Sequence, residues 1–99
     1  MPDRTTLLTE DQISEWLPSL PRWERRGAHL HRELSFRDFS EAFGFLTMVA
    51  LTAERMNHHP DWSNVYKTVA VKLNTHDAGG LTELDFELAR RMNRYAGGA

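Results

Sequence analysis

The sequence predicts an α+β domain: a four-stranded antiparallel sheet with three helices packed on one face, in the order α-β-β-α-β-β-α. Three kinds of observation carry that prediction. Apolar and polar residues alternate over His29–Phe36 and again over Val65–Leu73, the period of a half-buried strand. Thr9-Glu10-Asp11-Gln12, Asp38-Phe39-Ser40-Glu41 and Thr82-Glu83-Leu84-Asp85 have the spacing of helix N-termini. The connections between strands are of hairpin length, which favours antiparallel pairing.

Residues 1–8 read as a frayed start. A short helix is expected from Glu10 to Leu17, with Leu8 and Ile13 at staple spacing and Ile13, Trp16 and Leu17 on its apolar face. Pro18 and Pro21 end it. Trp23–Arg26 reads as a short strand, Gly27-Ala28 as a turn and His29–Phe36 as the second strand. In that strand Leu30, Leu34 and Phe36 point inward and Arg32 interrupts the pattern. A long helix is expected from Asp38 to Asn57. Phe39, Ala42, Phe43, Leu46, Val49, Ala50 and Ala53 form its apolar stripe. Gly44, Met48 and Leu51 lie nearly opposite, and two readings of them stay open: a contact between subunits, or scattered apolar surface. Val65–Leu73 is either one strand or two joined by a bend at Tyr66-Lys67. Asp77–Gly80 is a loop, and the last helix runs from the Thr82 cap to about Ala96, with Leu81 and Phe86 at staple spacing.

Ninety-nine residues, 40% hydrophobic and 26% charged, form one domain (1–99). A net charge of −2 supplies no global basic field for nucleic acid. No cysteine is present, so disulfides and thiolate chemistry are excluded. The polar start and the absence of a spanning segment point to a cytoplasmic protein. A domain this small is expected to self-associate.

The unusual side chains gather at Glu54-Arg55-Met56-Asn57-His58-His59-Pro60, at His76 and at Asp85. His58 and His59 are neighbours at a helix end, and Pro60 stops the helix and splays them. Capping of the last turn is their structural alternative. His76 stands where strand gives way to loop, either a site residue or a solvated histidine. Asp85 closes a capping box at the edge of a buried face, where a carboxylate needs a partner. Glu54 is four residues before His58, placed to orient it or to form an exposed pair. Trp23 and Trp62 flank strands and can pack or wall a flat heterocycle. No metal site is expected: adjacent histidines cannot chelate like an i, i+4 pair, and no His-Glu-x-x-His occurs. Phosphate loops and dinucleotide fingerprints are also missing. Imidazoles on two sides of a substrate can instead donate and accept a proton near neutral pH, which suits elimination of water.

The run Glu54-x-x-x-His58-His59-Pro60, Trp62, Asn64-Val65-Tyr66, His76 and Asp85 resembles the signature of the pterin-4a-carbinolamine dehydratases. Phe43-Gly44-Phe45, Thr75-His76 and Gly80-Leu81-Thr82 add to the resemblance, which covers roughly Trp23 to Ala89. It implies a four-stranded antiparallel sheet with three helices, and dimers or tetramers in which the long helix and a sheet edge take part. It implies dehydration of a 4a-hydroxytetrahydropterin to the quinonoid dihydropterin without metal or cofactor, recycling the cofactor of aromatic amino acid hydroxylases. By the same resemblance His58 and His76 are acid–base residues and His59 mainly a pterin binder. Asp85 is an active-site carboxylate, Glu54 an acid near the first histidine and Trp23 a pocket tryptophan, although here it follows Arg22 rather than glycine. The alternatives are a non-catalytic dimerisation or coactivator-type module and a small histidine-based metal-binding protein.

Overall fold

The computed structural model describes residues 4–99. Helix α1 (Glu10–Trp16) is followed by a 3-10 turn at Leu17–Ser19, then by β1 (Glu24–Arg26) and β2 (His29–Ser35). Helix α2 (Phe39–Met56) leads to β3 (Asp61–Val65) and β4 (Thr68–Leu73), and a 3-10 turn at His76–Ala78 precedes α3 (Glu83–Ala96). The four strands are antiparallel in the order β1-β2-β4-β3. Fold class and element order are as the sequence predicts.

Each helix begins where a side chain can take an orphan amide. Thr9 accepts from the Gln12 amide and Gln12 returns a bond to the Thr9 amide. Asp38 caps α2 through the Glu41 amide at 2.9 Å. Thr82 and Asp85 form the reciprocal box at α3. Caps of this kind contribute about 1 kcal/mol each.

Alternation decides the faces of the sheet. Leu30 and Leu34 of β2 and Val69, Val71 and Leu73 of β4 are buried under the helices. Arg32 keeps the alternation rather than breaking it. It is buried between the two leucines, and its guanidinium donates to Asn93 and to the Ala99 carbonyl. Burial and the neighbouring Arg22 lower its affinity for its proton. The stripe of α2 differs from expectation. Ala42, Phe45, Val49, Thr52 and Ala53 are buried, while Phe39, Phe43 and Ala50 face out. Phe45 packs on Phe36 with ring centroids 5.0 Å apart. On a helix with apolar residues nearly all round, more than one stripe satisfies a 3.6-residue period, and the sheet selects the one centred on Ala42, Phe45 and Val49.

The bend at Tyr66-Lys67 is real, with Tyr66 at φ 51°, so two strands form. The first starts at Asp61, earlier than apolar alternation indicates, because Ser63 and Asn64 on this edge strand carry no apolar signal. Of the expected frayed start, residues 1–3 lie outside the described residues. The rest is tied down: the Leu8 amide donates to the Leu81 carbonyl at 2.9 Å, and Arg4 pairs with Glu83.

Candidate functional site

The site is assembled where three chain segments meet: the turn after α2, the exit of β4 and the first turn of α3. Helix α2 ends at Met56, because Asn57 takes the left-handed conformation (φ 51°) and its amide returns to Ala53 and Glu54. Asparagine is one of the few non-glycine residues suited to that cap. Asn57, not Pro60, therefore stops the helix, and His58 already lies outside it. The His58 amide still reaches the Ala53 carbonyl at 3.0 Å, which fixes the histidine against the helix end.

His58 turns inward and is 7% exposed, whereas His59 is exposed. His58 Nε2 lies 2.6 Å from Asp85 Oδ1, and Asp85 is fully buried. Asp85 Oδ2 accepts two further bonds at 2.9 Å, from the Thr75 hydroxyl and from the Thr82 amide. Three donors thus converge on one carboxylate, which satisfies it away from water. A single side chain makes both contacts: Oδ2 closes the helix cap and Oδ1 holds the histidine.

Glu54 does not reach His58. It accepts from His59 Nε2 at 2.9 Å, and both side chains are largely solvated. Such a pair orients an imidazole but contributes little stability. His76 opens the 3-10 turn at the end of β4 and is exposed, and its ring has no protein partner among the described residues. His58, His59 and His76 nevertheless line one open pocket of about 500 Å³ with Asn57, Asn74 and Thr75. That volume suits a compact bicyclic ligand.

Trp23 is not brought to this pocket. Its indole N–H donates to Asn93 at 2.7 Å, its ring is buried, and it borders a separate cleft with Arg22 and Arg32. It precedes β1, at the sheet edge opposite β3. Trp62 is half-buried against the core. Among the described residues no three His, Asp or Glu side chains are grouped so as to hold a metal ion. Sequence reasoning did not foresee Asn57, Asn74 or the role of Thr75. The usable signals were an asparagine just past the apolar run and a threonine one residue before a suspected site histidine.

Chemically, the pocket offers one imidazole backed by a buried carboxylate, a second that is solvent-connected, and a third oriented by an acid at the rim. This arrangement can move protons at two places on one ligand.

Comparison with known proteins adds an independent line. Residues 6–95 match the family described as Pterin 4 alpha carbinolamine dehydratase. A Mesorhizobium japonicum protein, provisionally named a pterin-4-alpha-carbinolamine dehydratase, is 59% identical over 93 residues, covering 92% of this chain and 95% of the relative. A Chelativorans relative with the same provisional name is 54% identical over 91 residues, covering 90% of this chain and 93% of its own. A crystal structure from Brucella melitensis, described as a transcriptional coactivator/pterin dehydratase, superposes with a TM-score of 0.88 at 46% identity, covering 91% of this chain and 98% of that one. A pterin dehydratase-like protein described as a RuBisCO assembly factor in the alpha-carboxysome matches with a TM-score of 0.63 at 22% identity, covering 79% of this chain and 90% of that one, and shares the fold alone.

Proposed function

Because the chain belongs to the pterin 4 alpha carbinolamine dehydratase family, we propose that it dehydrates a 4a-hydroxytetrahydropterin to the quinonoid dihydropterin and water. The observation that carries this reading is the convergence of His58, His59 and His76 on one pocket, with His58 bonded to buried Asp85.

The reaction breaks the C4a–O bond and the N5–H bond and forms C4a=N5. It needs an acid for the departing hydroxyl and a base for the N5 proton. His58 is suited to be the base. Its Nε2 is committed to Asp85, so Nδ1 remains for the substrate, and the carboxylate stabilises the imidazolium that forms. His76 is suited to be the acid, since its exposed ring can be reprotonated from water between turnovers. His59, held by Glu54, binds the pterin at the rim. Trp23 would meet the substrate only if another subunit supplied it. No resident cofactor or metal enters these steps.

The test is direct assay of 4a-carbinolamine breakdown, with and without chelator, for the wild type and for a variant carrying both His58→Ala and His76→Ala. The double variant is expected to fall to the uncatalysed background while keeping its far-UV circular dichroism. Full activity in that variant overturns the assignment, and loss of wild-type activity with chelator would replace it with a metal mechanism.

The proposed setting is tetrahydropterin recycling for aromatic amino acid hydroxylation in the cytoplasm, by a homodimer or homotetramer joined through residues 38–57 and a sheet edge. The outward face of α2 supports the oligomer: Phe39, Phe43, Met48 and Leu51 are all exposed. The same face favours a second reading, a coactivator-type interaction module like the one in the description of the Brucella relative. Sedimentation of the isolated protein separates the two. A stable oligomer occupies the face, whereas a monomer leaves it for another partner.

A further inference from the structure

We propose that Thr75 and Thr82 are positioning residues that, by holding the Asp85 carboxylate, decide which ring nitrogen of His58 carries the proton. The consequence for turnover rests on the dehydratase reading. The geometry does not.

The four groups form one buried chain. The Leu84 amide donates to Thr82 Oγ1 at 3.2 Å, and Thr82 Oγ1 lies 2.7 Å from Thr75 Oγ1. The Thr75 hydroxyl donates to Asp85 Oδ2 at 2.9 Å, and Asp85 Oδ1 lies 2.6 Å from His58 Nε2. Thr75, Thr82, Asp85 and His58 are all buried. A hydroxyl has one proton to give. Thr75 gives its proton to Asp85, so the proton between the two threonines belongs to Thr82. Thr82 in turn accepts from a backbone amide, which can only donate. The direction of the chain is therefore set by the Asp85 carboxylate, which can only accept, and the Leu84 amide meets a lone pair that Thr82 leaves free.

At the other end, Oδ2 receives two donors, from Thr75 and the Thr82 amide. A carboxylate filled in this way acts as an acceptor at Oδ1 as well. His58 must then carry its proton on Nε2, which leaves Nδ1 unprotonated. His58 Nδ1 has no hydrogen-bond partner among the described residues, and the residue borders the pocket. A capping box alone would need Thr82 and Asp85 but not Thr75. Thr75 ties the exit of β4 to the carboxylate and adds the second donor at Oδ2. Without it, the carboxylate is free to rotate or to bind water, and the tautomer is no longer imposed.

The experiment is ¹⁵N-histidine NMR of the full chain near neutral pH, with the His58 signals assigned by their loss in His58→Gln, alongside steady-state kinetics. Wild type is expected to show a single Nε2–H tautomer for His58. Thr75→Val, close in shape but without the hydroxyl, is expected to populate both tautomers. Its kcat should fall about 10-fold to 100-fold, the scale of a lost bond to a charged group, with KM changed less than about twofold. Thr75→Ser should restore the single tautomer and bring kcat within about threefold of wild type. An Nδ1–H tautomer in wild type overturns the proposal. So does a folded Thr75→Val that keeps the wild-type spectrum, or one that loses kcat without a change of tautomer. If Thr75→Val does not fold, the spectra of wild type and Thr75→Ser decide. If wild type proves inactive as a dehydratase, the functional reading fails, while the tautomer and its response to Thr75→Val still decide this proposal.

Discussion

Replacing Asp85 by asparagine and, separately, by alanine divides the two tasks of its carboxylate. Asparagine can keep its amide oxygen at the Oδ2 position, where Thr75 and the Thr82 amide donate. Its amide nitrogen then faces His58 Nε2. Two N–H groups cannot face each other, so His58 must move its proton to Nδ1. All three bonds to the carboxylate lose their charge assistance, about 1 kcal/mol each, and burying a neutral amide in place of an ion offsets much of that loss. The net cost is about 1 kcal/mol, or roughly 4–8 °C in Tm for a domain of this length. Alanine removes every acceptor. His58 borders the pocket and can recruit water, but Thr75 is only 8% exposed and Thr82 is fully buried. Two orphaned donors at about 1–3 kcal/mol each give a loss of about 2–6 kcal/mol, or a Tm lower by roughly 10 °C or more. Turnover follows a different order. Asparagine inverts the tautomer, and the corresponding swap in the Ser-His-Asp triad costs about 10⁴ in kcat. A fall of about 10² or more is expected here even though the fold is barely weakened. Thermal unfolding and carbinolamine turnover measure both quantities. Equal Tm losses in the two variants would refute the accounting of donors, and wild-type turnover in Asp85→Asn would refute the role of the carboxylate in fixing the histidine.

Phe45→Ala should cost about 3–5 kcal/mol, since the ring is buried against Phe36, whereas Phe43→Ala should change monomer stability by less than about 0.5 kcal/mol; urea unfolding at a concentration low enough to hold the monomer compares them. Leu51→Lys, on the exposed face of α2, should shift sedimentation toward smaller species without altering the circular dichroism; an unchanged assembly would remove that face from the interface. Thr9→Ala should lower stability by about 1 kcal/mol through loss of the α1 cap, read as a lower urea midpoint at unchanged slope. The Arg25 guanidinium, bonded to Glu10 at 2.8 Å through Nη2, holds that carboxyl below its ordinary value of 4.5. The folded state therefore binds this proton less tightly than the unfolded chain, so the stabilisation is present above 4.5 and lost as pH falls through the lower folded value. Glu10→Gln should flatten the fall of the urea midpoint as pH drops through and below 4.5, by a small amount that shrinks with salt.

The elements were legible because their signals are local. Capping boxes at Thr9 and Thr82, alternation in β2 and β4 and the apolar run of α2 each involve neighbours a few residues apart. What the sequence left open depended on contacts at long range. Whether Phe43 or Phe45 enters the core is decided by the sheet, not by the helix period. Arg32 looked like an interruption because its partners, Asn93 and Ala99, lie more than 60 positions away. Glu54 was four residues before His58, yet the left-handed Asn57 rotated His58 off the helix face and gave Glu54 to His59. Trp23 was linked to the pocket by resemblance, and within one chain it sits elsewhere.

The sequence allowed two readings of Asp85 to hold together, a helix cap and a carboxylate that needs a partner at the edge of a buried face. They are one arrangement because a carboxylate has two oxygens with separate tasks. The consequence is a coupling between stability and chemistry. Any change that loosens the first turn of α3 also loosens the histidine, since Thr82, Thr75 and Asp85 serve both. A site built on the rigid start of a helix holds its geometry better than one carried by a loop. His58 has that support through Asp85, while His76 stands on a 3-10 turn, its ring exposed and without a hydrogen-bond partner among the described residues. The buried imidazole can act as a base of one defined tautomer, and the exposed one can exchange its proton with water. The unequal anchoring of the two histidines is therefore itself an argument for their different roles.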